Sequence, residues 1–127
     1  MSAERPLEGL SLLVVEDEAM VSMLIEQMFE DMGARAVRCV SSIAEALAAI
    51  EQEAPHAAAL DVNLRGTPVF PVAEALAARN VPMVFITGYG ASGLSAGWAA
   101  RPVVQKPFTA EALEDAMRLA LAPTRPE

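Results

Sequence analysis

Apolar positions along the chain follow two patterns, short continuous runs and helical spacing, and the two alternate. Leu10 to Val15 is a nearly continuous apolar run, the pattern of a strand buried on both faces in a parallel sheet. Val21, Leu24, Ile25, Met28 and Met32 then recur at helical spacing, and Gly33 supplies a C-terminal stop. Ala36 to Val40 predicts a second strand. Ser42 and Glu45 form a capping box, with Glu45 expected to reach back to the Ser42 amide. Ile43, Ala46, Leu47 and Ile50 give that helix its apolar face, and Pro55 lies beyond its end.

Ala57 to Leu60 predicts a third strand closing on Asp61, followed by a loop containing Gly66 and Pro68. Val69, Val72, Ala73 and Leu76 mark a third helix, and Met83 to Ile86 a fourth strand. Residues 88 to 101 hold four of the chain's seven glycines. An interior helix position occupied by Gly costs about 1 kcal/mol, so an irregular or flexible fourth-helix region is expected there. Val103 and Val104 predict a short fifth strand. Thr109 caps a last helix with Leu113, Ala116, Met117 and Ala120 on one face.

Strands alternating with helices through short loops imply a doubly wound parallel α/β sheet covered on both sides. The expected arrangement is flavodoxin-like, (βα)5, with strand order 2-1-3-4-5. The whole chain, residues 1–127, reads as one domain with a core of about 9–122 and short tails. No output domain is expected after Ala122. Met1 to Gly9 has no apolar h-region, so no signal peptide is predicted, and no apolar run reaches membrane-spanning length. Cys39 is alone, which excludes an intramolecular disulfide and makes a reducing cytoplasm the expected compartment.

Charge narrows the function classes. The formal net charge is −8 and the basic residues are scattered, which argues against nucleic acid or an anionic membrane as partner. The basic set is eight Arg and one Lys, Lys106. Arg cannot replace Lys where a compact ammonium must meet a small anion.

In such sheets ligands bind outside the carboxyl ends of the strands. There the sequence places Glu16, Asp17 and Glu18 after strand one, Asp61 at the end of strand three, Thr87 at the end of strand four and Lys106 after strand five. Clustered carboxylates repel, and a hard divalent cation relieves that cost. An Asp beside bound Mg²⁺ is a usable nucleophile toward phosphorus, with Lys and Thr as donors to the transferred oxygens. Each residue alone has a plainer reading. The acidic run can favour a helix dipole, Asp61 can cap a turn, and Thr87 can simply end a strand. His56, Cys39 and Trp98 read as packing or solvated residues. The four strand-end features together, in this order, point to phosphoryl chemistry.

The same residues carry a family resemblance. Leu-Val-Val-Glu-Asp-Glu at 13–18, Leu-Asp-Val-Asn-Leu at 60–64, Phe-Ile-Thr-Gly-Tyr at 85–89 and Gln-Lys-Pro-Phe at 105–108 resemble the motifs of a two-component response-regulator receiver domain, CheY-like and stand-alone. The resemblance implies Asp61 as phosphoacceptor, Thr87 and Lys106 as contacts to the phosphoryl group, and Mg²⁺ held by Glu16, Asp17, Asp61 and the backbone carbonyl of Asn63. It also implies a phosphorelay protein that catalyses only its own phosphorylation and dephosphorylation, and a Lys106–Pro107 bond that is often cis. Val103 departs from the pattern, since most receivers carry an aromatic switch residue three positions before the Lys. Phe85 to Tyr89 instead resembles an alphaproteobacterial subfamily marked by Phe-Ala-Thr-Gly-Tyr, which is associated with an irregular fourth-helix region.

That subfamily implies a sensor histidine kinase, of HWE or related type, or a histidine phosphotransfer protein as partner; a monomer is expected. The alternative is a degenerate receiver that binds a partner without phosphorylation, against which stand Asp61, Thr87 and Lys106. A haloacid-dehalogenase-like phosphatase would need Asp where Asn63 stands, and more chain. A flavodoxin-like electron carrier would need a Ser/Thr/Gly-rich phosphate cradle where the acidic run stands.

Overall fold

The computed structural model describes residues 5–88, 98 and 101–122. Its main sheet consists of β1 (Ser11–Val15), β2 (Ala36–Val40), β3 (Ala57–Asp61), β6 (Met83–Thr87) and β7 (Val103–Gln105), with a small hairpin of β4 (Asn63–Leu64) and β5 (Thr67–Pro68) between β3 and β6. The order is β2-β1-β3-β6-β7 and every pairing in it is parallel. This is the expected 2-1-3-4-5 order, with β6 and β7 as fourth and fifth strands. The helices are α1 (Ala19–Asp31), α2 (Ile43–Gln52), α3 (Phe70–Ala78) and α4 (Ala110–Leu121).

Period-two alternation within the central strands divides the core between the two faces. Leu13, Val15, Leu60, Met83 and Phe85 pack on one side with Ala46 and Ile50 of α2 and Val72 and Leu76 of α3. Leu12, Val14, Ala59, Val84 and Ile86 pack on the other with Ile25 and Phe29 of α1 and Leu113 and Met117 of α4. β3 and β6 are buried throughout, whereas the edge strand β2 is largely exposed.

Helix ends follow their local chemistry. Ser42 Oγ accepts the Glu45 amide at 3.1 Å. Glu45 Oε1 reaches one residue further back than expected, accepting the Ser41 amide at 2.9 Å. Thr109 caps α4 by accepting from the Ala112 amide at 3.0 Å. Gly33 has φ +99°, and a Cβ there would lie 2.9 Å from Arg5 Cβ, so the turn after α1 requires glycine. The buried stripe of α1 is Ser22, Ile25 and Phe29, continued by Met32, and Leu24 is exposed. With Met20 and Met23, Leu24 forms an apolar patch on the solvent side.

Aromatic packing lies beside β7 rather than on it. Val103 is part-buried against the α2–α3 side of the core. Trp98 stacks on Phe70 with centroids 6.1 Å apart and planes at 9°, and meets Phe85 edge-on at 5.9 Å. The expected irregular fourth-helix region, including Tyr89, lies outside the described residues apart from Gly88, Trp98 and Arg101.

Candidate functional site

The parallel register brings the strand ends to one edge of the sheet. The Glu16 amide donates to the Val40 carbonyl at 3.0 Å, turning the chain off β1. The Val62 amide donates to Ile86 at 2.9 Å, which ties the turn after Asp61 to β6, and the Lys106 amide donates to the Thr87 carbonyl at 2.8 Å. Glu16, Asp61 and Thr87 are buried despite their polarity, at 2%, 6% and 3% exposure. The Lys106–Pro107 bond is cis.

Lys106 is the hub of the charges. Its Nζ lies 3.4 Å from Glu16 Oε1, 3.2 Å from Glu18 Oε1 and 3.5 Å from Asp61 Oδ2. The chain's single Lys thus faces three carboxylates at once. Asp61 Oδ1 also accepts the Asn63 amide at 3.3 Å, and Glu16 Oε2 accepts the Glu18 amide at 3.1 Å. Asn63 itself is exposed, and its side-chain oxygen accepts the Gly66 amide at 2.6 Å. A cleft of about 220 Å³ opens beside Asp61, lined also by Asn63, Gly66, Phe70, Thr87 and Gly88.

Burial dominates the protonation equilibria. It pushes Glu16 up to about 7, with the neighbouring charge of Asp61 acting in the same direction. Burial raises Asp61 as well, although Lys106 and the Asn63 amide pull it down. Burial lowers Lys106, but Glu16 and Asp61 outweigh it and hold the ammonium above its ordinary value.

Glu16, Asp17 and Asp61 each offer a carboxylate oxygen, and these oxygens lie within 4.8 Å of one another. Glu16 Oε1 is buried and accepts no hydrogen bond. Hard oxygen donors, mutual repulsion and a buried oxygen without a hydrogen-bond donor fit a hard divalent cation such as Mg²⁺.

Two participants were not assigned from sequence. Glu18 was grouped with the acidic run without a role of its own, and it pairs with Lys106. Arg65 Nε lies 3.7 Å from Asp17 Oδ2. The signal available for Arg65 was the Arg-Gly pair four residues after Asp61, which makes the tip of the β4–β5 hairpin.

The family model for the response regulator receiver domain matches residues 12–118. The chain belongs to the receiver domain family. This receiver resembles the solution structure of SdrG from Sphingomonas melonis Fr1, at 41% identity and TM-score 0.76, over 96% of this chain and all of that one. It also resembles the BeF3-activated conformation of SdrG from Pseudomonas melonis Fr1, at 39% identity and TM-score 0.77, over 95% of this chain and all of that one. The anti-anti-sigma factor PhyR from Bartonella quintana matches at 25% identity and TM-score 0.74, over 89% of this receiver and 47% of PhyR. No curated protein gives a significant match. Receivers are signalling domains rather than conventional enzymes and work with histidine kinases or phosphotransfer proteins. They bind Mg²⁺ at an acidic pocket, and the acidic cluster of this receiver is Glu16, Asp17 and Asp61. Among the described residues, no helix is long and apolar enough to cross a membrane.

Proposed function

We propose that this receiver accepts a phosphoryl group on Asp61 from a phosphorylated histidine of a sensor kinase or phosphotransfer protein, with Mg²⁺ as cofactor. The observation that carries the reading is the buried Asp61 carboxylate within 3.5 Å of Lys106 Nζ, beside two further carboxylates. A carboxylate oxygen of Asp61 attacks phosphorus. The P–O bond to Asp61 forms as the P–N bond to the histidine breaks, and the imidazole leaves with the bonding pair. Lys106 balances charge on the transferred oxygens, and the Thr87 hydroxyl donates to one of them. Glu16, Asp17, Asp61 and the Asn63 carbonyl would hold Mg²⁺, which supplies positive charge to the same oxygens.

The BeF3-activated state of SdrG supports the reading, because trifluoroberyllate has the shape and charge of a phosphoryl group. The Phe85-to-Tyr89 segment favours a kinase of HWE or related type as donor.

Incubation with a labelled phosphorylated kinase tests this. About one acid-resistant, alkali-labile phosphoryl group per chain is expected with Mg²⁺, and far less with EDTA. No transfer from any phosphohistidine or small-molecule donor would sink the proposal.

Metal uptake is expected to depend on pH. Glu16 must be ionised to bind a cation, and in the metal-free protein it holds its proton up to about 7. Mg²⁺ affinity should therefore rise roughly tenfold between pH of about 6 and about 8, with proton release on binding. Calorimetry in buffers of different ionisation enthalpy measures both. An affinity flat across this range would remove Glu16 from the metal site.

A further inference from the structure

We propose that Arg65 is a built-in counter-cation for Asp17 that competes with Mg²⁺ for this carboxylate and so weakens metal binding at the site. The inference rests on reading Glu16, Asp17 and Asp61 as the metal cluster. Four acidic side chains crowd the strand ends, and two cations divide them. Lys106 Nζ takes Glu16, Glu18 and Asp61. Among ion pairs of the described residues, Asp17 belongs to Arg65, with Nε 3.7 Å from Oδ2. Asp17 is mostly buried, at 14% side-chain exposure, while Arg65 is 79% exposed. The carboxylate is held in place and its partner is free to withdraw into solvent.

The hairpin that carries Arg65 gives an independent argument. β4 and β5 pair antiparallel, Asn63 with Pro68 and Leu64 with Thr67, leaving Arg65 and Gly66 as a two-residue loop. Both loop residues have positive φ, +53° and +87°. Such a loop favours Asn-Gly, and an ordinary L-residue in the left-handed region costs about 1 kcal/mol. Turn geometry alone would favour Asn at 65, so Arg at this position runs against local preference. Its side-chain contact with Asp17 is what it gains.

The loop is also firmly set. Leu64 is buried, Gly66 donates its amide to Asn63 Oδ1 at 2.6 Å, and the Val69 amide donates to Val62 at 2.9 Å across the hairpin base. The hairpin starts two residues after Asp61, whose Oδ1 accepts the Asn63 amide. The backbone at Arg65 is thereby fixed relative to the acceptor, while its exposed guanidinium can swing between Asp17 and solvent. A metal ion taking Asp17 must displace that guanidinium or bind against its charge.

The test is calorimetric titration of Mg²⁺ into the full chain at low ionic strength, comparing wild type, Arg65→Asn, Arg65→Lys and Asp17→Asn. Arg65→Asn suits the turn, so it should fold at least as well as wild type in EDTA. It is expected to bind Mg²⁺ about two- to fivefold more tightly, the range that an exposed ion pair spans. Arg65→Lys keeps the charge and should lie nearer wild type. At about 0.5 M of a non-coordinating salt the difference should shrink toward none. In wild type, the Arg65 Nε–H resonance should shift along the Mg²⁺ titration with the same midpoint. Equal or weaker binding by Arg65→Asn, or an Nε–H resonance that does not move, overturns the inference. If wild type still binds Mg²⁺ and Asp17→Asn does not, the metal site survives that failure. A wild type that takes up no Mg²⁺ overturns both.

Discussion

Replacing Asp61 by Asn is expected to reduce phosphoryl labelling to background while leaving the chain folded. The amide is nearly isosteric with the carboxylate but is neutral and a poor nucleophile, so the P–O bond has no oxygen to form on. The effect on stability has a definite sign. Burial raises the Asp61 pKa despite Lys106 nearby, so on balance the folded surroundings disfavour its charge. A carboxylate with a raised folded pKa loses stability as pH climbs from its unfolded toward its folded value. Asn carries no such charge. Asp61→Asn should therefore unfold at the same or a higher temperature than wild type in Mg²⁺-free buffer at pH of about 8. Undiminished labelling would identify another acceptor, and marked destabilisation would mean that the carboxylate is needed to hold Lys106.

The second large effect is expected at Lys106. One ammonium faces Glu16, Glu18 and Asp61, and the Glu16 side chain has no solvent contact. Removing the cation leaves carboxylates uncompensated, which costs several kcal/mol for a fully buried pair. Because Lys106 is 23% exposed, a discounted loss of about 2 kcal/mol is expected for Lys106→Met at pH of about 8 without metal. The loss should shrink as pH falls, because Glu16 and Asp61 then take up protons and no longer need a counter-charge. Added Mg²⁺ should also shrink it. Denaturant unfolding at two pH values, with and without Mg²⁺, measures this. A destabilisation independent of both would show that Lys106 acts by packing alone. Lys106→Arg is not expected to restore signalling, since the guanidinium fork is larger and differently directed than an ammonium.

The parts of this receiver that could be read from sequence are those governed by local pattern. Continuous apolar runs identified β1, β3 and β6 because strands buried on both faces must be apolar throughout. Ser42 and Thr109 announced their helices because a cap is a local bond. Convergence of Glu16, Asp61, Thr87 and Lys106 followed from parallel topology, which places every strand's carboxyl end on one edge. What escaped depended on tertiary context. Helical spacing marked α1 but not its buried face, since spacing cannot say which of two adjacent apolar stripes meets the sheet, and Leu24 is exposed. The β4–β5 hairpin was read as a loop because Arg at 65 hides the usual Asn-Gly signal. Glu18 and Arg65 acquire their partners only across the fold: Lys106 is 88 residues from Glu18.

The stack of Trp98 on Phe70 makes the protein its own optical probe. Trp98 is the sole tryptophan of the chain, so its emission comes from one known place. Phe70 lines the cleft that also contains Asp61 and Thr87, and Arg101 sits 5.5 Å from the centre of the indole ring. An indole in contact with both an aromatic ring and a cation has a wavelength and quantum yield sensitive to both. Events at the carboxylate cleft that shift Phe70 would register as a change of colour or brightness, without any dye or label attached.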